Sequence, residues 1–347
     1  MAPRTDLGKQ YMSSGTEPKK EVATPRPSAS ILLISPSNEI LLLHRVQTSS
    51  SFPSAHVFPG GNLSPSQDGK IPAANSSERH VDGPAYRLGA IREGFEESGI
   101  LLAKKNDGSD SLLEVEETER ERARKEIHAG KLKFLDWVEA QGGVVDTESL
   151  IPFTRWITPT NLPKRFTTQM YIYFLPLTQR TAKNISSKSV IPVPTSDGGV
   201  EHTAAIFASC STWLQQASKN EIILYPPQFY LMYLLSHFLT ASSSSPQSIE
   251  ELQKQRDKVM EFLKGDGGDG KGVKWGEKVM SPNGIGLTKD GRSVLILNKP
   301  GPELQGSGRS GDEKRVVLVR FGKGGPRDVE VRERKVLLEE EMRTAKL

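Results

Sequence analysis

In the stretch RLGAIREGFEESGI, residues 87–100, one arginine and three glutamates are spaced so that their side chains can act together. On a helix, Glu93, Glu96 and Glu97 fall at i, i+3 and i+4 and share one face, and Arg92 stands four residues before Glu96. Like charges at such spacing repel by about a few tenths of a kcal/mol per pair, and Arg92 relieves only part of that. A hard divalent cation relieves more, because Mg2+ and Mn2+ take oxygen ligands. On spacing alone a solvated charged face is the commoner arrangement, so the flanking segments must decide.

The segments that would position these side chains can be read in order. Pro84 suits a first helical position and Gly99 a left-handed residue just past the end, so a helix is expected over Pro84–Ser98. Leu88, Ile91 and Phe95 give it one apolar face; Gly94 interrupts it, as a close approach by another element would require. Before it, ASILLIS (29–35) and EILLLHRV (39–46) are apolar runs around a PSN turn and read as a buried hairpin. FPGG (58–61) reads as a strand and turn, and residues 62–83 as an inserted polar loop.

After the helix, residues 104–150 read as a helical insert whose alternating acids and bases suit a solvated face. PFTRWITP (152–159), RFTTQMYIYFLPL (165–177) and TAAIFAS then read as strands. STWLQQASKNE, capped by Ser211 or Thr212, PPQFYLMYLLSHFLTA and SIEELQKQRDKVMEFLKG read as helices. From Gly265 the composition shifts: GDGGDGKG reads as flexible, and GIGLTKDGRSVLILN, KRVVLVRFG and RDVEVRERKVLL as strands of a small β appendage. These boundaries divide the chain into an irregular segment 1–28, a main domain 29–264 with inserts at 62–83 and 104–150, and an extension 265–347.

Composition narrows the function classes. The 347 residues are 35% hydrophobic and 25% charged, as in a globular domain, and no run approaches the roughly 20 apolar residues of a membrane span. A net charge of +4 suits an anionic small-molecule substrate and gives no argument for nucleic acid. The lone Cys210 excludes an intrachain disulfide and a cysteine-rich zinc site. The final Ala345-Lys346-Leu347 is a variant of the Ser-Lys-Leu peroxisomal address, so an import receptor is an expected partner and the peroxisome the expected compartment, with the cytoplasm as the alternative.

REGFEESGI, Arg92 to Ile100, resembles the core of the Nudix box, Arg-Glu-aliphatic-x-Glu-Glu-x-Gly-aliphatic, departing from it only at Gly94. FPGG upstream is similar to the strand-turn that precedes the box. The fold this implies is α+β: a Nudix-type α/β/α sandwich with a mixed sheet, here carrying a helical insertion and the C-terminal β appendage. The family's box also has a Gly fourteen residues and a Glu eight residues before the Arg, where this chain has Glu78 and Pro84. Counted forward from Gly61 instead, the Glu position holds Gln67, so the box's first acid is expected to be missing.

The resemblance implies hydrolysis of a nucleoside diphosphate linkage with Mg2+ or Mn2+. Glu96 and Glu97 would be the principal metal ligands, Glu93 a ligand or base, the Gly61 carbonyl a further ligand, and Arg92 the residue orienting the glutamates. Glu201 is the expected later-loop carboxylate; His56 and His202 are expected to be structural or solvent-exposed. LLLHR before HVFPGG partly resembles the signature of coenzyme A diphosphatases, and the insert before FTRWITP and the EIILYPPQ segment are similar to a peroxisomal subgroup of those enzymes. Coenzyme A or acyl-CoA is therefore the expected substrate, with Arg45, Arg155, Lys164 and Arg165 as expected phosphate contacts. NAD(H), ADP-ribose or another dinucleotide is the alternative substrate, and a Nudix-fold binding module without turnover the alternative class.

Overall fold

The structure, a computed structural model, describes residues 22–46, 54–177, 202–240 and 247–344. In chain order the first half comprises β1 (Arg26–Ile34), β2 (Ile40–Arg45), β3 (His56–Val57), β4 (Gly60–Asn62), α1 (Pro84–Ser98), β5 (Ala103–Lys105), α2 (Glu117–His128), α3 (Phe134–Ala140), β6 (Gly143–Val145), β7 (Ile151–Ile157) and β8 (Phe166–Phe174). The second half comprises β9 (His202–Ala208), α4 (Cys210–Ser218), α5 (Pro226–Ser236), α6 (Ile249–Lys264), β10 (Val279–Met280), β11 (Asn283–Leu287), β12 (Ser293–Leu297), β13 (Asp312–Gly322), β14 (Gly325–Glu333) and α7 (Arg334–Thr344).

The main sheet has eight strands, in the order β10-β7-β8-β1-β2-β3, with β4 also pairing β1 and β9 pairing β2. It is mixed: β1 runs parallel to β8 from Arg26↔Phe166 to Ile34↔Phe174, and antiparallel to β2 across the expected hairpin. The unbroken apolar run of β1 follows from burial on both faces. Ala29, Ile31 and Leu33 point to one core with Leu88, Ile91 and Phe95 of α1, whereas Leu32 and Ile34 point to a second core with α4–α6.

The helix over Pro84–Ser98 has the expected ends, with Gly99 left-handed at φ 72° and donating its N–H to the Phe95 carbonyl. The insert is more buried than its charge pattern suggested. Arg124, Ala123 and Ile127 of α2 and Phe134 and Trp137 of α3 are all interior, and the Phe95 ring lies 5.1 Å from that of Trp137 and 5.6 Å from that of Phe134.

Several boundaries differ from the sequence reading. The irregular N-terminal segment was expected to reach Ser28, but β1 already begins at Arg26, and Arg165 donates to the Ala23 carbonyl at 2.8 Å; residues 1–21 lie outside the described ones. Helix α4 is capped by Ser209, whose hydroxyl accepts the Thr212 N–H at 3.1 Å, not by Ser211 or Thr212. The segment read as a last strand turns helical at Arg334.

The GDGGDGKG loop is built. Asp266 accepts the Gly268 and Gly272 N–H groups at 2.8 and 3.4 Å, and Asp269 meets the Lys278 ammonium at 2.5 Å with both side chains 0% exposed. The β-rich extension is an antiparallel sheet, β11-β12-β13-β14, whose Leu295, Leu297, Val317, Val319 and Val331 share the second core with Leu32, Leu42 and Phe229. The composition boundary at Gly265 therefore does not separate two cores, and β10 joins the main sheet directly beside β7.

No close approach occupies the space at Gly94: a Cβ built there meets only the Ile31 Cγ2, at 3.5 Å, an ordinary contact. Gly94→Ala is expected to raise stability by about 0.5–1 kcal/mol through helix propensity and a less flexible unfolded chain. A rise in the denaturant midpoint at unchanged slope is the expected result, and a fall would contradict this reading of the packing.

Candidate active site

The site forms where α1 crosses the β4 turn. Gly60 has φ 152°, and a Cβ on it would stand 2.4 Å from the Ala29 carbonyl oxygen; a Cβ on Gly61 would stand 2.5 Å from the Glu93 carboxylate. Two glycines thus let the backbone lie against the carboxylates of the helix. The Gly60 N–H donates to Glu97 Oε2 at 2.7 Å, fixing one glutamate directly on the turn.

Arg92 is the hub of the arrangement. It is 4% exposed, and its guanidinium makes a bidentate pair with Asp68, Nε to Oδ1 and Nη2 to Oδ2, each at 2.8 Å. Nη1 reaches Glu96 Oε1 at 2.8 Å and Glu93 Oε1 at 3.0 Å, and Nη2 also donates to the Asn62 carbonyl at 3.2 Å. These partners hold the guanidinium charged more firmly than burial opposes it. The Glu93 carboxyl is pushed up, to about 7: burial is the main cause, Arg92 pulls the other way, and Glu96 and Asp68 add to the rise.

Glu96 is also gripped from the insert. His128 Nδ1 lies 3.1 Å from Glu96 Oε2, and Arg124 donates Nε and Nη2 to the Glu96 main-chain carbonyl at 3.2 and 2.9 Å. On the other side, the fully buried His202 places Nε2 at 3.5 Å from Glu97 Oε1.

The structure thus gathers Arg92, Glu93, Glu96, Glu97 and Gly61. Glu201 lies outside the described residues. Arg45 ends β2, in register with His202, and so flanks the site. Lys164 is exposed in the turn between β7 and β8.

The other two expected phosphate contacts are corrected. Arg155 is 0% exposed, bonded to the Val81 carbonyl at 2.8 Å and the Thr167 hydroxyl at 3.1 Å, and stacked on Tyr86. Arg165 is 2% exposed and is spent on the Thr158 and Ala23 carbonyls and on Glu303 at 2.5 Å. Both guanidiniums hold the sheet and its flanking segments together. His56 is packed against His44 and Trp213, and burial, then the neighbouring His44, lowers it to about 4.

Gln67 stands at the counted position, as expected, and the neighbouring residue supplies an acid. Asp68 stands one residue beyond Gln67, with its side chain 0% exposed, and supplies the carboxylate that Arg92 needs. A search for any acid near the counted position would have found it. Asp68, Arg124 and His128 are the site residues that the sequence reading missed, and His202, read as structural or exposed, is buried beside Glu97.

A divalent cation is tested against these residues by donor chemistry and fit. Glu93, Glu96 and Glu97 are hard oxygen donors on one helix face, and Gly61 leaves the Glu93 carboxylate the room that a Cβ would fill. Among the described residues no three such side chains converge on one point as they stand; each carboxylate is held by Arg92, the Gly60 N–H or a histidine. The donor set fits a hard cation.

Around this arginine-and-glutamate helix, residues 72–235 match the family model described as the NUDT19 Nudix domain, so this part of the chain is similar to Nudix hydrolases. The acyl-coenzyme A diphosphatase NUDT19 of Xenopus laevis is 28% identical over 242 residues, covering 58% of this chain and 60% of that protein. Its counterpart in Gallus gallus is 26% identical over 265 residues, covering 62% and 67%. A crystal structure of a Nudix hydrolase from Alicyclobacillus acidocaldarius aligns over 66% of this chain and 96% of its own, at 20% identity and a TM-score of 0.46.

Asp68→Ala leaves a buried guanidinium without its bidentate partner and is expected to cost about 3 kcal/mol of stability. Urea unfolding measures this, and a loss under about 1 kcal/mol would mean that Glu93 and Glu96 hold Arg92 without Asp68.

Proposed function

We propose that this chain is a metal-dependent diphosphate hydrolase that cleaves the pyrophosphate of coenzyme A or acyl-CoA, giving 3′,5′-ADP and 4′-phosphopantetheine or its acyl form. The observation that carries the proposal is the set of three glutamates at the Gly60–Gly61 turn, Glu93 and Glu96 held by Arg92 and Glu97 by the Gly60 N–H. The substrate class is supported by the named relatives, of which this chain spans about 60% in the first case.

In this reading Glu96 and Glu97 would hold Mg2+ or Mn2+, with the Gly61 carbonyl as a further ligand and Glu93 as a ligand or base. The bound cation would neutralise charge on the diphosphate oxygens and lower the pKa of a coordinated water. The chain's own residues do the rest. Arg92 keeps Glu93 and Glu96 in one orientation, so that little reorganisation is needed as charge develops. Gly60 fixes Glu97 through its N–H, and Glu93, if not itself a ligand, would take the proton from the attacking water. Arg45, in register with His202 at the start of β9, would be the residue to contact a substrate phosphate.

Purified protein should be offered coenzyme A, acyl-CoAs, NADH and ADP-ribose with Mg2+ or Mn2+, with products resolved by chromatography. Release of 3′,5′-ADP from the coenzyme A substrates is expected; turnover confined to NADH or ADP-ribose would replace the substrate, and no turnover at all would leave a binding module. Glu97→Gln is expected to lower turnover by more than about 100-fold while leaving the melting temperature within a few degrees, since removing a ligand should exceed the 10–100-fold cost of losing an outer-shell partner. Wild-type rates in that variant would remove Glu97 from the chemistry.

Ala345-Lys346-Leu347 lies outside the described residues, and its reading as a peroxisomal address belongs to the same proposal. A tagged protein lacking these three residues is expected to stay in the cytosol, and unchanged peroxisomal import would show that the tail is not the signal.

A further inference from the structure

The helical insert does more than fill a gap between strands. Gln67 grips its α2–α3 turn reciprocally, donating Nε2 to the Leu132 carbonyl and accepting the Phe134 N–H, each at 2.9 Å. The adjacent Asp68 holds Arg92, Arg92 holds Glu96, and Glu96 is held in turn by Arg124 and His128 of the insert. The contacts therefore close a ring: insert, Gln67, Asp68, Arg92, Glu96, insert.

Arg124 sits in this ring at 3% exposure, with its guanidinium on the main-chain oxygen of Glu96. The stack of Phe95 on Trp137 and Phe134 lies one residue before Glu96, so the insert clasps α1 through both backbone and side chain at that point. On the same helix, Arg122 faces away, 49% exposed and paired with Glu119 and Glu126. Only part of the insert's charge belongs to a solvated face.

We propose that the insert, through Gln67, Arg124 and His128, is a brace that sets the orientation of Glu96 and thereby the affinity of the glutamate cluster for its divalent cation. This rests on the metal-dependent reading given above. The three are positioning residues: Arg124 and His128 touch Glu96, and Gln67 ties the Asp68 loop to the α2–α3 turn. Partners that orient first ligands in this way typically change metal affinity 10–100-fold when removed.

The test titrates Mn2+ into the full chain and follows free Mn2+ by its electron paramagnetic resonance signal, with thermal unfolding recorded for every variant. Gln67→Ala and Arg124→Gln are each expected to raise the Mn2+ Kd about tenfold or more, with turnover recovering at saturating Mn2+. Arg122→Gln, which removes the same charge from the exposed side of α2, is expected to leave the Kd within twofold. A merely structural insert would lower the melting temperature of the first two variants without moving the Kd of the folded protein, and that result overturns the proposal.

If those two variants fail to fold, His128→Ala decides, because His128 has half its side chain exposed. A severalfold rise in Kd is expected, and an unchanged Kd overturns the brace. Failure of the underlying reading looks different: the wild-type chain binds no Mn2+, or Glu97→Gln binds it as tightly as wild type does.

Discussion

Everything around the site depends on one buried guanidinium. Burying Arg92 removes its hydration, and the structure compensates with a bidentate carboxylate, two glutamates and a main-chain carbonyl. The fork geometry of arginine suits this task, because its donors are fixed in one plane and cannot be deprotonated. Arg92 is nonetheless outnumbered. Asp68, Glu93 and Glu96 meet it, and the Glu93 carboxyl is raised mainly by burial, with Glu96 and Asp68 adding to the rise. A second source of positive charge relieves the surplus, and the hard oxygen donors select the kind of cation that would supply it.

The rest of the fold serves to bring these groups together. The continuous apolar run of β1 is buried on both faces, so α1 and its insert pack on one side while α4–α6 and the C-terminal sheet pack on the other. That sandwich fixes β4 against β1, with Gly60 opposite Ser30 and Gly61 opposite Ala29. Only glycine allows the turn to run so close to both the sheet and the carboxylates. Site and core are built from the same pairing.

The helix, its ends, the hairpin and the main strands were legible because each rests on a local rule: apolar period, a first-turn proline, a left-handed glycine. The glutamates were legible for the same reason. Asp68 was not, since its place is set by the path of a lengthened loop, turned back by the Ser64 N–H bonded to Asp68 Oδ2 at 2.7 Å, and not by counting from Gly61. Arg155 and Arg165 show the converse: a cation between strands reads as a phosphate contact until packing buries it. In α2 the inward face is carried by Ala123, Arg124 and Ile127, of which only isoleucine is strongly apolar, so alternating charge concealed it. The Gly-rich loop after α6 read as flexible because nothing local announces that Asp269 meets the buried Lys278.

The central claim is that Arg92 and Asp68 organise Glu93, Glu96 and Glu97 into a site for one hard divalent cation on the Gly60–Gly61 turn. Anomalous diffraction from crystals of the full chain soaked in Mn2+ tests it most directly. The account predicts a manganese peak among those three carboxylates and the Gly61 carbonyl, with the Arg92–Asp68 pair intact beside it. A peak elsewhere, or an empty turn at saturating Mn2+, would contradict it.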